Sequence, residues 1–436
     1  MTVVSTKPAQ PTLDGSVSKS RFRQSAIILV VANYVLAFVS MGVNMLLTDK
    51  LGQTGYGTFR YGIVIGTFVA CFVNLGSQRT IVRDLVHSKS PAAMMSSSVA
   101  LRLVSALIVL VVGIALTLTS EMTKTKLLVA WMCGLAAVCT AMSPKGWFDV
   151  QYKMHWHATL LLLEKFLFAA SCLVWIFGLA TNKFLFGVAC CWLLARVVSC
   201  VTQWAFCLRS FSWDDGWNPS RIFWLFKENV WVFGAVLGGT LAAQGSQLVL
   251  DAVQGNRAMA FYGLAFSMVA MGQLFVTQLD RLLAPRIAAI TDQRKANNLD
   301  EIRRQLVRYA VYALCGSICI ASAIFVVGPV AIRWLLPAPY EASVPILRYL
   351  CVWCCLLGPN LVMARFLICL RCNKVQFSLS IFRGLLAVAL SPLLVMLFEG
   401  VGVAFAVILA AICFGSAGYF YLLFLYRPGE VKPDAI

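Results

Sequence analysis

The sequence predicts an all-α integral membrane protein with about twelve transmembrane helices and both termini in the cytoplasm. Hydrophobic residues make up 60% of the 436 residues and charged residues only 12%, so lipid must solvate much of the surface. About a dozen apolar stretches, each long enough to cross a hydrocarbon core of roughly 30 Å, follow one another along the chain. Basic residues are concentrated in every second gap between these stretches, which orients a multi-pass protein.

Twelve spans follow a tail at 1–23 whose Ser, Thr and Pro content predicts disorder. The first span is too long for the core of a signal peptide and lacks a small-residue cleavage site, so we expect it to be retained. The fourth span is short because Ser143 and Pro144 end it. The predicted spans are 24–47, 57–77, 95–119, 127–143, 158–180, 184–208, 229–250, 258–279, 306–329, 346–370, 377–398 and 401–426.

Basic residues give the spans an orientation. Of the 36 Lys and Arg, 22 fall in the tails and in the gaps after even-numbered spans, 6 in the other gaps and 8 inside spans, where Arg308 and Arg348 occupy the third position of theirs. The positive-inside rule therefore predicts cytoplasmic termini in a multi-pass protein of the bacterial inner (cytoplasmic) membrane. Anionic membrane lipids are the expected partners of most of the net charge of +18, and no nucleic acid partner is expected.

Two halves of six spans begin with the same pattern. An Asp ends the odd-numbered span at Asp49 and Asp251, a short turn with glycine follows, and a Tyr-Gly pair at 56–57 and 262–263 opens the next helix. Because six is even, the halves share one orientation. Alternatively, Asp, Gly and Tyr only mark membrane–water boundaries. The predicted division is a cytoplasmic disordered tail at 1–23, an N-lobe at 24–210, a cytoplasmic linker at 211–228, a C-lobe at 229–427 and a cytoplasmic tail at 428–436.

Six basic residues lie at the fourth position or deeper in predicted spans, where an ionisable group costs about 2.5–3.5 kcal/mol and usually faces a cavity or a partner. Acidic residues are scarce there, so the interior is predicted to be net positive. Arg suits a phosphate cargo because its planar fork binds phosphate oxygens bidentately and keeps its charge. Snorkelling to the interface is the alternative, above all for Arg60 and Arg383. The candidate cavity cations are Arg60, Arg102, Lys165, Arg196, Arg365 and Arg383.

Amide side chains within the spans are candidates for binding sugar hydroxyls, or alternatively for joining helices. These candidates are Asn33, Asn44, Gln244, Gln247 and Gln273. Coupling to H+ or Na+ needs a carboxylate, for which the candidates are Glu164, Asp251 and Asp280. No catalytic residue, cofactor or metal site is predicted, because phosphate-loop and zinc-protease patterns are missing and the best cysteine pattern, at 351–372, lies on one apolar helix.

The stretch MGVNMLLTDKLGQTGYGTFRYGIVIGTFVACFVNLGSQRTIVR at 41–83 resembles the first two spans of the Wzx-type polysaccharide and O-antigen flippases of the multidrug/oligosaccharidyl-lipid/polysaccharide (MOP) exporter superfamily. That family has a small turn ending in Gly-x-Tyr-Gly or a close variant, and a Leu-Gly with a basic segment after span two, matched by Leu75-Gly76 and Arg79. The stretches 247–268 and 279–290 are similar to its seventh and eighth spans. The resemblance covers nearly the whole chain.

This resemblance implies a two-lobed, MATE-like bundle whose central cavity opens alternately to either side. The implied cargo is an undecaprenyl-pyrophosphate-linked oligosaccharide, flipped to the outer leaflet for exopolysaccharide, capsule or O-antigen biosynthesis, with polysaccharide polymerase and export machinery as further partners. A MATE-like exporter or another lipid-precursor flippase is the alternative on the same scaffold. A membrane glycan polymerase or glycosyltransferase is the alternative from another class, although such enzymes usually need a larger outer loop than 330–345.

Overall fold

The computed structural model describes residues 19–78, 80–81, 85, 90–150, 154–178, 184–208, 218–291, 299–370 and 372–426. Most of the predicted tails and part of the predicted linker lie outside the described residues. The regular elements within these ranges are helices, as the composition predicts. They are α1 Lys19–Asn74, α2 Pro91–Leu118, α3 Lys124–Ala141, α4 Lys145–Val150, α5 Met154–Gly178, α6 Phe184–Leu208, α7 Pro219–Thr240, α8 Ser246–Thr291, α9 Leu299–Leu335, α10 Ser343–Cys369, α11 Asn373–Phe398 and α12 Gly400–Phe420.

The helices follow the predicted spans closely. The sixth span has the bounds of α6, and α3 ends at Ala141, just before the Ser143-Pro144 stop. Nine helical stretches among the described residues are long and apolar enough to cross a membrane. Two of these, Ala37–Asn74 and Pro219–Thr277, each contain predicted spans of both odd and even number. The exact count of twelve and the orientation of the termini stay predictions.

Two glycines break the longest helices at corresponding places. Gly52 in α1 has φ 65° and ψ −178°, and Gly255 in α8 has φ 77° and ψ −172°. This backbone conformation is essentially restricted to glycine. Each glycine lies in the turn between the first two predicted spans of its half, so one conformation recurs where the sequence pattern recurs. We call the end of the bundle that holds Gly52 and Gly255 the kink end.

The substitution Gly52→Ala is expected to lower the melting temperature by straining the backbone alone. No atom lies within 4 Å of the position that a Cβ would take at Gly52 or at Gly42. Alanine in the Gly52 conformation costs about 1–3 kcal/mol, whereas Gly42→Ala in regular helix is expected to stabilise by up to about 1 kcal/mol. Thermal unfolding of the two variants in detergent measures the difference, and equal melting temperatures would contradict the strain at Gly52.

One predicted element differs from the structure. The basic segment 300–310 predicts a helix on the membrane surface or a solvated connector. It is instead the first part of α9, Leu299–Leu335, a single helix of 37 residues. At 1.5 Å per residue this helix is about 55 Å long, so it spans a core of roughly 30 Å and projects beyond it. Continuous backbone hydrogen bonding thus extends the span into the segment whose charges suggested a separate element.

Two Gly-x3-Gly patterns, at 62–66 and 234–238, predict close approach of neighbouring helices. The structure confirms both contacts. A Cβ at Gly66 would lie 2.8 Å from the carbonyl oxygen of Cys133 on α3. A Cβ at Gly238 would overlap the carbonyl of Ser380 on α11. The glycines therefore let α1 pack on α3, and α7 on α11, with their backbones nearly in contact.

The first half, residues 19–208, packs against the second half, residues 218–426, mainly through α1 and α8. Tyr56 and Tyr262, from the repeated Tyr-Gly pairs, are 1% and 0% exposed and share one core cluster. A Cβ at Gly57 would overlap the backbone carbonyl of Asn256, and one at Gly263 would lie 2.5 Å from Cγ of Arg60. The repeated pairs therefore lie where the halves meet, and do more than mark a membrane boundary.

Candidate functional site

A cavity of about 290 Å³ lies between the two halves. In the first half, α1 lines the cavity with residues from both sides of its break at Gly52, together with α5 and α6. In the second half, α8 lines the cavity. Most lining side chains are apolar. The polar and charged lining residues are Ser40, Asn44, Arg60, Lys165 and Ser267, and no carboxylate of the described residues lines the cavity. The described walls of this cavity are therefore net positive.

Arg60 reaches the cavity from the kinked helix α1 and is only 7% exposed. Its Nε donates a hydrogen bond to Oε1 of Gln247 at 3.2 Å, and its guanidinium carbon lies 5.1 Å from the centre of the Phe266 ring. Both partners belong to α8. Within the described residues, Nη2 of Arg60 is buried without a hydrogen-bond partner. This guanidinium thus keeps a donor for a further acceptor.

Lys165 and Arg196 lie beside one aromatic ring, that of Trp192. The Lys165 Nζ lies 4.5 Å from the ring centre and the Arg196 guanidinium carbon 4.7 Å from it. Arg196 also forms an ion pair with Glu164 at 2.9 Å, where the Glu164 side chain is only 4% exposed. Arg196 does not line the cavity, and Glu164 offsets its charge, so Lys165 and Arg60 are the described cations that line the cavity.

Contacts near the kink end join the two halves. They comprise a close ion pair and two hydrogen bonds, and each has one partner in either half. The contacts are Lys126 with Asp251, Asn256 Nδ2 to Thr58 Oγ1 at 2.9 Å, and Tyr340 OH to the Thr48 carbonyl at 3.1 Å.

Further along α1, away from the kink end, the halves meet again. Thr80 Oγ1 donates to Oδ1 of Asn229 at 2.6 Å, and the Phe72 and Phe233 rings lie 5.6 Å apart. The cavity lies between these contacts and those of the kink end along α1. The structure therefore shows a state in which the halves are held together on both sides of the cavity.

The structure gives Arg102 a different environment from the predicted cavity. Arg102 is 1% exposed and does not line the cavity described above. Its Nε donates to the Ser77 hydroxyl at 2.9 Å, and its Nη1 donates to the carbonyls of Ala141 and Ser143 at 3.1 and 3.2 Å. The last carbonyls of a helix have no partner within the helix. Arg102 therefore caps the C-terminus of α3.

Arg365 and Arg383 lie in the second half, on α10 and α11, and do not line the cavity. The guanidinium carbon of Arg383 lies 4.7 Å from the centre of the Phe414 ring on α12, and its Nη2 would lie 3.1 Å from a Cβ at Gly239. Arg365 has an interaction within the described structure. The geometry thus places Arg383 in the packing of the second half.

The predicted amides divide into three groups. Asn44 lines the cavity, and Gln247 bonds the cavity cation Arg60. Gln244 accepts a hydrogen bond from Gln247 at 3.0 Å, whereas Gln273 does not line the cavity. The Asn33 side chain lies outside the described part of the structure. The sequence could not separate these groups, because it shows how deep an amide lies in a span but not whether its side of the helix faces the cavity.

Two of the three candidate coupling carboxylates take part in ion pairs. Glu164 pairs with Arg196, and Asp251 pairs across the halves with Lys126. The Asp280 side chain lies outside the described residues. These pairs agree with structural roles for Glu164 and Asp251, while coupling to H+ or Na+ stays a prediction.

A family model described as "Polysaccharide biosynthesis protein" matches residues 22–291, which is more than half of the chain. The chain belongs to this polysaccharide biosynthesis family. The resemblance drawn from 41–83, 247–268 and 279–290 is thereby confirmed for the family. Among curated protein sequences, none matches the chain significantly.

Solved structures of transporters share the fold of this polysaccharide biosynthesis protein. "Lipid II flippase MurJ, inward closed conformation" has a TM-score of 0.68 at 14% identity, over 92% of this chain and 87% of that one. A multidrug resistance MATE family transporter of the MOP superfamily, in an inward-facing conformation, has a TM-score of 0.66 at 15% identity, over 91% and 98%. A MATE transporter of Vibrio cholerae has a TM-score of 0.61 at 15% identity, over 93% and 97%. The predicted MOP-type helical fold is confirmed, and these relatives are transporters rather than enzymes.

The sequence reasoning missed the aromatic residues at the cavity of this family member. Phe59, Phe168 and Trp192 line it, although tryptophans in such a chain are expected at the membrane interface. Two spacings in the sequence could have indicated these aromatic residues. Trp192 precedes Arg196 by four residues and Phe168 follows Lys165 by three, which places each aromatic on the helix face of a buried cation.

Proposed function

We propose that this protein flips an undecaprenyl-pyrophosphate-linked oligosaccharide across the bacterial inner membrane for polysaccharide biosynthesis, by alternating access of the cavity between its halves. One observation carries the proposal: Arg60 and Lys165 line this cavity, and no described carboxylate lines it with them. Membership of a family described as "Polysaccharide biosynthesis protein" supports the proposed pathway. The polymerase of the same polysaccharide is the expected next user of the flipped product.

The two cations account for the anionic part of the cargo. A basic side chain inside the membrane costs about 2.5–3.5 kcal/mol, which a partner of opposite charge offsets. The pyrophosphate supplies oxygens for the Arg60 fork and charge for the more compact Lys165 ammonium. The hydroxyls and amide of Ser40, Asn44 and Ser267 are placed to bond the sugar next to it.

The size of the cavity constrains the mechanism. At about 290 Å³ it is at the lower end of small-molecule pockets, which run from about 300 to 1,000 Å³. Such a volume accommodates a pyrophosphate with little of the attached sugar. A whole oligosaccharide therefore enters only when the halves separate, which requires the contacts of one side, such as Thr80–Asn229 or Asn256–Thr58, to break.

A MATE-like exporter of cationic drugs is the second candidate, because solved MATE transporters share the fold. Such a cargo needs a carboxylate in the cavity. Among the described residues, Glu164 and Asp251 already take part in ion pairs. The charge of the described cavity walls therefore favours an anionic cargo.

Flipping measured in proteoliposomes tests the proposed function. The probe is a prenyl-pyrophosphate disaccharide with a fluorescent sugar, and the readout is the fraction quenched by dithionite outside. Arg60→Gln and Lys165→Gln are expected to slow flipping at least about tenfold each, because a hydrogen bond to a charged group contributes about 1.5–3 kcal/mol.

Arg304→Gln is the matched control, because the Arg304 side chain is 78% exposed on α9 and lies away from the cavity. Its flipping rate is expected to equal that of the unchanged protein. Unchanged flipping by both cavity variants would refute the proposal. Preferential efflux of a cationic dye by the unchanged protein would favour the exporter instead.

A further inference from the structure

We propose that Gln247 is a positioning residue that aims the Arg60 guanidinium into the cavity, and that it does so only while the two halves are together. This inference rests on the proposed function, since it concerns how the same cavity holds a pyrophosphate. Gln247 itself does not line the cavity, so it would act through Arg60.

Arg60 belongs to the first half, but the second half shapes its side chain. Gln247 accepts the hydrogen bond from Nε at 3.2 Å, and the Phe266 ring centre lies 5.1 Å from the guanidinium carbon. The missing side chain of Gly263 leaves room for the stem, because a Cβ there would lie 2.5 Å from Cγ of Arg60. These contacts fix both the path of the stem and the position of the guanidinium.

The amide of Gln247 has one favourable orientation. Its Nε2 donates to the Ala243 carbonyl at 2.8 Å and to Oε1 of Gln244 at 3.0 Å. An amide nitrogen carries two donors, so both are used, and Oε1 is left to face Arg60. A flipped amide would set donors against the guanidinium. Gln247 is 0% exposed, which excludes water as a substitute partner.

A local irregularity in the helix supports this arrangement. One π-helical turn, Leu241–Gly245, separates α7 from α8 and ends two residues before Gln247. It contains both partners of the Gln247 amide, Ala243 and Gln244. Single π-helical turns are frequent at functional sites because they change the faces that later side chains occupy. The turn here brings two glutamine amides together behind one cavity cation.

The hydrogen bond to Gln247 uses one donor of the Arg60 guanidinium and leaves another without a partner. With Nε bound to Gln247, Nη2 of the same guanidinium is buried and has no hydrogen-bond partner among the described residues. A buried donor without a partner is costly. A pyrophosphate oxygen that came within hydrogen-bond distance of Nη2 would satisfy this donor, so the arrangement favours an anion beside Arg60.

The hydrogen bond between Gln247 and Arg60 joins the two halves, so it breaks when the halves separate. Arg60 then keeps its charge but loses its fixed direction. The headgroup is accordingly bound most firmly in the closed state and held more loosely once either side opens. This makes the affinity for the anion depend on the conformation, which a carrier needs in order to release its cargo.

A double-mutant cycle on the purified full-length protein in detergent tests the proposal, with farnesyl diphosphate as the probe. Gln247→Met keeps the length of the side chain and removes the amide. It is expected to weaken diphosphate binding about tenfold, the loss of one hydrogen bond to a charged group. In an Arg60→Met background the same substitution is expected to change binding by less than about twofold.

The matched control is Gln254→Met, because the Gln254 amide donates to the Val395 carbonyl within the second half at 3.4 Å and has no part in the cavity. It is expected to bind like the unchanged protein. Gln247→Leu serves as the second variant if Gln247→Met does not give a monodisperse protein.

Three results would overturn the proposal. Equal weakening by Gln247→Met with and without Arg60 would show a structural role only. Unchanged binding by Gln247→Met together with weak binding by Arg60→Met would agree with the proposed function but show that Gln247 does not position Arg60. Unchanged binding by Arg60→Met would count against the cavity assignment itself.

Discussion

The substitution Gly57→Ala is expected to keep the two halves from closing at the kink end and to abolish transport. A Cβ at residue 57 would overlap the carbonyl oxygen of Asn256. Both atoms belong to backbone, so no side-chain rotation relieves the clash. Overpacking a closely fitted core typically costs about 1–3 kcal/mol and more where backbone must move. The neighbouring bond from Asn256 to Thr58 would break as the halves part.

The measurements are the melting temperature in detergent and the flipping rate in proteoliposomes. Gly134→Ala is the matched control, because its Cβ would meet only Cγ2 of Val69 at 3.7 Å, an ordinary contact. We expect the control to transport normally and Gly57→Ala to unfold at a lower temperature without transport. Normal flipping by Gly57→Ala would contradict the need for this close contact in the transport cycle.

The substitution Arg102→Met is expected to destabilise the protein by about 3–5 kcal/mol, because three buried acceptors would lose their donor. The methionine would leave the Ser77 hydroxyl and the carbonyls of Ala141 and Ser143 without the donors that they now have. Each unsatisfied buried polar group costs about 1–3 kcal/mol. Arg102→Lys, which cannot reach all three acceptors at once, is expected to give an intermediate loss.

Stability and transport should respond differently to Arg102→Met. Thermal unfolding in detergent measures the first, with the exposed Arg304→Met as control. Flipping per folded molecule measures the second and is expected to stay within about twofold of the unchanged protein, because Arg102 lies away from the cavity. If the Arg102→Met protein were stable but could not flip its cargo, the prediction that Arg102 is a cavity cation would be supported instead.

Some parts of the site could be predicted from the sequence because they depend on local properties. A charge inside an apolar span is visible in the sequence, and its energetic cost requires a special environment wherever the fold places it. That argument selected Arg60 and Lys165, which line the cavity. The same argument selected Arg102, which does not line the cavity and instead donates to three acceptors in the first half.

Other parts depend on residues far away in the chain. Gln247 lies 187 residues from Arg60, and nothing in the sequence of either span indicates their contact. The same holds for Lys165 on α5, which contacts the Trp192 ring only once α5 and α6 are packed, whereas Arg196 lies four residues from Trp192 on α6 itself. The sequence gives the depth of each residue in its span, but not which residue of another helix will contact it.

The sequence by itself determined the membrane class, the positions of most helices and the glycine breaks, because hydrophobicity, helix length and glycine's backbone freedom are properties of short segments. Tertiary structure alone decided which buried cations face the cavity, which cap a helix and which pair with a carboxylate. The physical reason is that a buried charge is stabilised by whichever partner comes within a few ångströms, and helix packing brings that partner from distant parts of the chain.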